Sequence, residues 1–321
     1  MVTSFEPRIV VLGGGTGLST LLRGLKKYSS SLTAIVTVTD DGGSSGALRR
    51  ELGVLPPGDI RNCLVALSGE ENLMARLFQY RFPGVGSLAK HSFGNLFLTA
   101  MAALSGGFDK GIARAGEVLA IRGQVLPVTL SSVTLEARLS DGNLVQGETN
   151  IARSNKPIER LTICPSPPPA APRVIEAIAD ADAVVIGPGS LYTSVIANLL
   201  VKGVVPALRR TRAPKIYVSN IMTQPGETNG FSADDHLSAI EEHGADNLMD
   251  YMIVNSGRIP QAVLRRYARQ DSFPVSIDAT RSRGSIMIRA NMVCPEGYAR
   301  HDSRRLAKVI MNIVARRPSW S

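Results

Sequence analysis

Four loops rich in glycine and small polar residues each follow a short apolar, β-like run, and this repeat most constrains the fold. The loops are Gly13-Gly14-Gly15-Thr16-Gly17, Asp40-Asp41-Gly42-Gly43-Ser44-Ser45-Gly46, Gly187-Pro188-Gly189-Ser190 and the stretch from Asn220 to Thr228. The runs ahead of them are Arg8 to Leu12, Ala34 to Thr39, Ala183 to Ile186 and Lys215 to Ser219. Alternating strands and helices predict an α/β chain with a Rossmann-like, mostly parallel sheet and helices on both faces. In such a sheet the loops after the strands gather on one rim, where ligands bind. Glycine lets a backbone approach an oxygen-rich ligand without a Cβ in the way. A helix that starts just after the loop offers free N–H groups and a partial positive charge. Four such loops point to a large anionic ligand, a nucleotide or a nucleotide-sugar.

At 321 residues the chain is longer than one core usually grows. The expected organisation is an N-terminal nucleotide-binding half with a helical segment (1–123), a small antiparallel β insertion (124–164) and a C-terminal α/β half (173–321), all integrated in one domain. The insertion rests on the alternation of VTLSSVTLEARL and on Asp141-Gly142-Asn143, a hairpin signal. The proline-rich stretch from Pro165 to Pro172 reads as a stiff connector. Further strands are expected at Tyr251 to Val254 and, at a sheet edge, Ser285 to Val293. Helices are expected from Asn72 to Tyr80, Ser92 to Ser105, Asp109 to Ile121, Leu191 to Leu200, Ala233 to His243, Ile259 to Ala268 and Ser303 to Val314.

Cys63, Cys164 and Cys294 have neither metal-ligand nor redox spacing, and read as buried thiols in a reducing compartment. No run approaches the ~20 apolar residues needed to span a bilayer, and the N-terminal residues lack the pattern of a secretory leader. A cytoplasmic location is the expectation. The net charge is +9, and the segment from Ser276 to Ser321, with nine basic and three acidic residues, supplies +6 of it. Such a cluster attracts phosphate. Aromatics are only 5% of the chain and do not interleave with the basic residues, which argues against single-stranded nucleic acid as a partner.

The first loop resembles a dinucleotide fingerprint but puts Leu18 where the third glycine would stand. That counts against a nicotinamide-dependent oxidoreductase. No Lys-Ser or Lys-Thr follows, so it is not a P-loop either. Asp40 and Asp41 are candidates to hold Mg²⁺, to order a sugar hydroxyl or to act as a base, with turn capping as the alternative. Asp59 and Arg61 read as a helix cap with an ion pair. Asn62 and Asn95 stand in apolar helical stretches and need partners if buried. His91 is a candidate proton carrier or phosphate contact, or simply a hydrogen-bonded histidine. Ser190, Thr193 and Ser194 open a helix and suit phosphate or ribose oxygens, or plain N-capping.

Seven ordered blocks carry a family resemblance: VVLGGGTGLSTLLRGLK, VTDDGGSSGALR, PPGDIRNCLVAL, HSFGNLFLTAM, GPGSLYTSVIANLL, YVSNIMTQPGET and ARHDSRRLAKVI. Together they resemble the gluconeogenesis-factor (YvcK-type) family, relatives of the CofD 2-phospho-L-lactate transferases. Ala197-Asn198 stands where that family is expected to have Pro-Asn. The resemblance implies a Rossmann-like fold and a cytoplasmic bacterial protein. It further implies a role in cell shape and growth on gluconeogenic carbon sources, UDP-sugar binding, and protein partners in cell-wall control. The transferase branch uses Mg²⁺.

Two functions are therefore weighed. The first is a regulator that binds a nucleotide-sugar such as UDP-N-acetylglucosamine. Its candidate ligand-binding residues are Gly13, Gly14, Gly15, Thr16, Gly17, Asp40, Asp41, Ser44, Ser45, Asn95, Gly187, Gly189, Ser190, Asn220, Thr223, Tyr267 and Arg300. The two glycine loops would hold the diphosphate, Asp40 or Asn220 the hydroxyls, and Tyr267 and Arg300 would stack and pair. The second is a Mg²⁺-dependent transferase of a diphosphate-linked donor, with Asp40 and Asp41 on the metal and Asp40, Asp41 and His91 as the catalytic candidates. A homo-oligomer is compatible with either.

Overall fold

The computed structural model describes residues 6–69, 73–86, 88–154, 156–277, 281–294 and 297–316. Of the residues singled out above, Asn72 lies outside them.

The N-terminal half runs β1 (Ile9–Gly13), α1 (Gly15–Leu25), β2 (Leu32–Val36), α2 (Gly43–Leu52), α3 (Gly58–Leu67), α4 (Leu73–Gln79), α5 (Phe93–Ser105), α6 (Phe108–Val118) and β3 (Gln124–Pro127). An excursion follows: β4 (Thr134–Leu139), β5 (Leu144–Gln146), α7 (Glu148–Arg153) and β6 (Ile158–Cys164). The C-terminal half begins with α8 (Pro172–Ala179) and β7 (Ala183–Ile186), then a π-wound segment, Leu191–Ile196, that continues as α9 (Ala197–Leu199). It ends with α10 (Val204–Arg210), β8 (Lys215–Val218), α11 (Ala233–His243), β9 (Tyr251–Asn255), α12 (Gln261–Ala268), β10 (Arg281–Ser282), β11 (Ser285–Ala290) and α13 (Ser303–Ala315).

Strands β1, β2 and β7 are buried along their whole length. Continuous Ile, Val, Leu and Ala runs form such strands when helices cover both faces of a parallel sheet. The main sheet has the order β10-β11-β9-β8-β7-β1-β2-β3, parallel except for β10 against β11. The chain builds outward from β1 to β2 and β3, then crosses back and builds the other way through β7, β8 and β9. The reversal falls between β1 and β7, whose registers pair Ile9 with Ala183 and Leu12 with Ile186. In open α/β sheets the crevice at this reversal is the ligand site. The last helix locks the first: α13 packs on α1 so closely that a Cβ on Gly24 would lie 2.7 Å from the Ser303 carbonyl carbon.

The antiparallel sheet β5-β4-β6 is the expected insertion, with the Asp141-Gly142-Asn143 turn joining β4 to β5. It starts later than expected, because Gln124–Pro127 pairs with β2 as the edge of the main sheet. The second strand ends at Val36, three residues early. The strand from Ser285 is not at the edge: β10 covers it. Among the thiols only Cys63 is fully buried; Cys164 and Cys294 are partly exposed. No helix among the described residues is long and apolar enough to cross a membrane.

Candidate functional site

At the reversal point the loops after β1, β7 and β8 line one cleft of about 340 Å³. Gly14 to Gly17 form one wall, Pro188 to Ser190 and Ser194 a second, and Asn220 to Pro225 a third. The fourth comes from the C-terminal region: Tyr267, Gln270, Ser272, Ala299, Arg300 and His301. Of the expected ligand residues, Gly14, Gly15, Thr16, Gly17, Gly189, Ser190, Asn220, Thr223, Tyr267 and Arg300 thus meet in one place. Gly13 and Gly187 lie behind them. The Gly187 amide donates to the Leu12 carbonyl, and the Gly13 carbonyl accepts from the Thr37 amide and from Asn198 Nδ2 at 3.1 Å.

The glycines make the loops fit one another. A Cβ on Gly17 would lie 2.8 Å from the Pro188 carbonyl carbon, and one on Gly14 would lie 2.9 Å from Asp59 Oδ2. Gly15 has φ of +65°, a left-handed conformation that favours glycine.

Two buried-side carboxylates cap the helices that border the cleft. Asp59 Oδ2 accepts the Gly15 amide at 2.6 Å, at the start of α1. Glu227 Oε2 accepts the Tyr192 amide at 3.0 Å, while Glu227 Oε1 accepts from Thr193 Oγ1 at 2.9 Å and Gln224 Nε2 at 3.1 Å. Some of the N–H groups expected to await a phosphate are therefore already held by carboxylates. The expected Asp59–Arg61 cap and ion pair gives way to this longer-range contact. The Arg61 guanidinium instead donates to Ser92, Asn95 and Asn62.

Burial pushes the Asp59 carboxyl up to about 6, with the Asp40 charge adding to it and the Gly15 hydrogen bond opposing it. Burial, then the charges of Asp40, Asp59 and Glu227, raise the Glu148 carboxyl well above the usual range. Glu227 is raised by burial as well, against the hydrogen bonds it accepts. Of the three, Asp59 is the one that stands directly behind Gly14 and Gly15. On the opposite wall the Arg300 guanidinium lies 5.0 Å from the centre of the Tyr298 ring, and Arg266 4.2 Å from it. Such cation–π contacts hold a guanidinium in place.

The loop after β2 leaves the same rim but does not line the cleft, because β2 lies on the far side of β1 from β7 and β8. Asp41 Oδ1 accepts from the Thr149 amide at 2.9 Å and from its hydroxyl. Asp40 Oδ1 accepts the Gly42 amide at 2.9 Å. Ser45 Oγ accepts the Gly58 amide at 3.1 Å. Ser44 Oγ lies 3.0 Å from His91 Nδ1 and accepts from Asn95 Nδ2 at 3.0 Å, while Asn95 Oδ1 accepts from Arg61. Asp40, Asp41, Ser44, Ser45, His91 and Asn95 thus form a second polar cluster that does not line the cleft.

Among the described residues no three Asp, Glu, His or Cys side chains stand close enough to hold a metal ion by themselves. Asp41 is spent on Thr149. Asp40 does not line the cleft, so a Mg²⁺ ion on its carboxylate would meet phosphate oxygens only of a ligand that reaches past the lining toward Asp59.

Sequence reasoning did not find Asp59, Glu227, Asn198 or His301 in these roles. Replacing Glu227 by alanine strands the amides of Tyr192 and Thr193 and should cost about 1–3 kcal/mol. Glu227→Gln keeps a carbonyl acceptor and should recover most of that loss. Urea unfolding of both variants checks this, and equal losses would rule it out.

The sequence profile of the family described as 2-phospho-L-lactate transferase CofD matches residues 9–293. The chain belongs to the CofD family. This CofD-family chain is 43% identical over 312 residues to the gluconeogenesis factor of Bacillus subtilis, covering 96% of this chain and 98% of that protein. It is 48% identical over 273 residues to the gluconeogenesis factor of Halalkalibacterium halodurans, covering 85% of each. A relative from Nostoc sp. is 53% identical over 310 residues, covering 95% of this chain and 68% of its own. The crystal structure of protein BH3568 from Bacillus halodurans superposes with a TM-score of 0.93 at 44% identity, covering 96% of this chain and all of that one.

Proposed function

We propose that this chain binds a nucleotide-sugar in the cleft at the β1/β7 reversal and acts as a cytoplasmic regulator of growth on gluconeogenic carbon and of cell shape. The observation that carries this reading is the meeting of Gly14 to Gly17, Gly189, Ser190, Asn220, Tyr267 and Arg300 around one cleft of about 340 Å³. That size falls within the range of small-ligand sites. Open loop backbone and Arg300 suit a diphosphate, and Tyr267 offers a flat apolar face. The gluconeogenesis-factor names of the relatives support the part about gluconeogenic growth.

Titration calorimetry with UDP-N-acetylglucosamine tests it. The wild type should bind, and Arg300→Ala should weaken binding roughly tenfold or more by removing a charge-assisted pair. No heat at millimolar ligand would reject the reading.

The CofD profile match favours a second reading, a Mg²⁺-dependent transferase that acts on a diphosphate-linked donor. Mg²⁺ on Asp40 would meet the phosphates of a donor that extends past the cleft lining toward Asp59, and catalysis would rest on placement and charge stabilisation. Prolonged incubation with Mg²⁺ and nucleotide-linked donors, followed by chromatography, separates the two: intact donors favour the regulator.

A further inference from the structure

One stretch of surface combines exposed apolar side chains with cations and carries no carboxylate. It runs along α4 and the hairpin that leads into α5. Phe78, on the inner face of α4, is buried against Phe93 and Phe97 of α5. Leu73, Leu77 and Tyr80 stand at i, i+4 and i+7 and share another face. On that face Leu73 and Tyr80 are exposed. The hairpin is closed by the Phe82 amide, which donates to the His91 carbonyl at 3.0 Å, and by the Lys90 amide, which donates to the Phe82 carbonyl at 3.1 Å. Its tip carries Val85 between Gly84 and Gly86. Val85 stands wholly in solvent, more exposed than any other large apolar side chain among the described residues, and Leu88 is 52% exposed. The Tyr80 and Phe82 rings meet edge to face, with centroids 5.4 Å apart.

Arg76, Arg81 and Lys90 are exposed on the same segment. None of them forms an ion pair among the described residues. Arg81 Nη1 donates to the Lys90 carbonyl at 2.9 Å, which holds both cations near the hairpin's base. Residues 73–108 include no Asp or Glu. The carboxylates that precede them, Glu70 and Glu71, lie outside the described residues.

Charge and shape decide what fits here. A second copy of the chain would set the same cations against these, which repels. An acidic protein would match the charge, but a fully exposed side chain on a two-glycine tip is a convex knob that needs a matching hole. An anionic bilayer supplies phosphates for the cations and a soft apolar layer that yields to a protruding shape.

We propose that the hairpin between Arg81 and Lys90 docks this protein on an anionic lipid surface. Val85 and Leu88 enter the boundary between headgroups and acyl chains. Tyr80 and Phe82 rest at headgroup level, where aromatic rings favour the interface. Arg76, Arg81 and Lys90 face the lipid phosphates. The attachment is weak and reversible, because two side chains bury less apolar surface than one acyl anchor. It is independent of what the cleft binds.

Flotation of the full chain with vesicles of equimolar phosphatidylcholine and phosphatidylglycerol, and with phosphatidylcholine alone, tests the assignment. The wild type should float with the first and stay behind with the second. The double variants Val85→Ser with Leu88→Ser, and Arg81→Glu with Lys90→Glu, should each lower partitioning at least roughly tenfold. Arg209→Glu with Arg210→Glu makes the same charge change at the exposed end of α10. It should lower partitioning less than about threefold, because surface attraction fades within a Debye length. A wild type that ignores the anionic vesicles would overturn the proposal, whether or not the variants fold. An equal loss in the Arg209/Arg210 variant would overturn it too, since diffuse charge would then explain the binding. So would a concentration-dependent dimer in sedimentation that the Val85/Leu88 variant abolishes, since the patch would then be a protein interface.

Discussion

Gly17→Ala should destabilise the protein by about 2–4 kcal/mol, a large value for the addition of one methyl group. The added Cβ would lie 2.8 Å from the Pro188 carbonyl carbon and closer still to its oxygen. Neither partner can yield cheaply: Gly17 belongs to α1, and Pro188 belongs to the loop that leaves β7. The methyl group must therefore push apart two loops that form adjoining walls of the cleft. Nucleotide-sugar affinity should fall along with stability. Gly15→Ala is the control. Gly15 has φ of +65° but open space around its missing Cβ, so only backbone strain opposes the change, at about 1 kcal/mol. Urea unfolding of both variants distinguishes them. A Gly17→Ala protein as stable as Gly15→Ala would show that the loops do not touch as described.

Asp59→Asn should make the protein more stable at pH 7.5 and leave it unchanged near pH 4. The carboxyl of Asp59 is raised from its ordinary 3.8 to about 6, mainly by burial. The folded state therefore holds this proton more tightly than the unfolded state does. Below the unfolded value both states are protonated and nothing is lost. As pH rises through the window from about 4 to about 6 the folded state pays for a buried charge, and stability falls. Above that window the loss is complete, about 1–3 kcal/mol for a group not wholly sealed from water. Asparagine keeps a carbonyl oxygen for the Gly15 amide and carries no charge. Unfolding free energies of wild type and variant at pH 4 and pH 7.5 provide the check. A variant weaker than wild type at the higher pH would contradict the account.

The sheet and its rim were legible because their signals are local. Five buried residues from Ile9 to Gly13 lead straight into Gly-Thr-Gly, and Ala183 to Ile186 lead into Gly-Pro-Gly-Ser, so strand, loop and helix start can each be read within a dozen residues. The turn Asp141-Gly142-Asn143 was legible for the same reason. The carboxylate caps were not. Asp59 reaches Gly15 across 44 residues of sequence and Glu227 reaches Tyr192 across 35, so only the fold brings them together. Strand order also decides which loops share the cleft. The loop from Asp40 to Gly46 has the same composition as the others, yet it follows β2, on the outer side of β1, and its side chains bond to Thr149, His91 and Asn95. Composition cannot distinguish a loop that faces a ligand from one that binds its neighbours.

Diffraction from crystals grown with UDP-N-acetylglucosamine is the most direct test of the claim that one cleft at the β1/β7 reversal holds the ligand. The account predicts density for the pyrophosphate between the Thr16–Gly17 and Gly189–Ser190 segments, with Arg300 alongside and the base against Tyr267. Density elsewhere, against the Ser44–His91 cluster or at the amino ends of the strands, with this cleft unfilled, would contradict it.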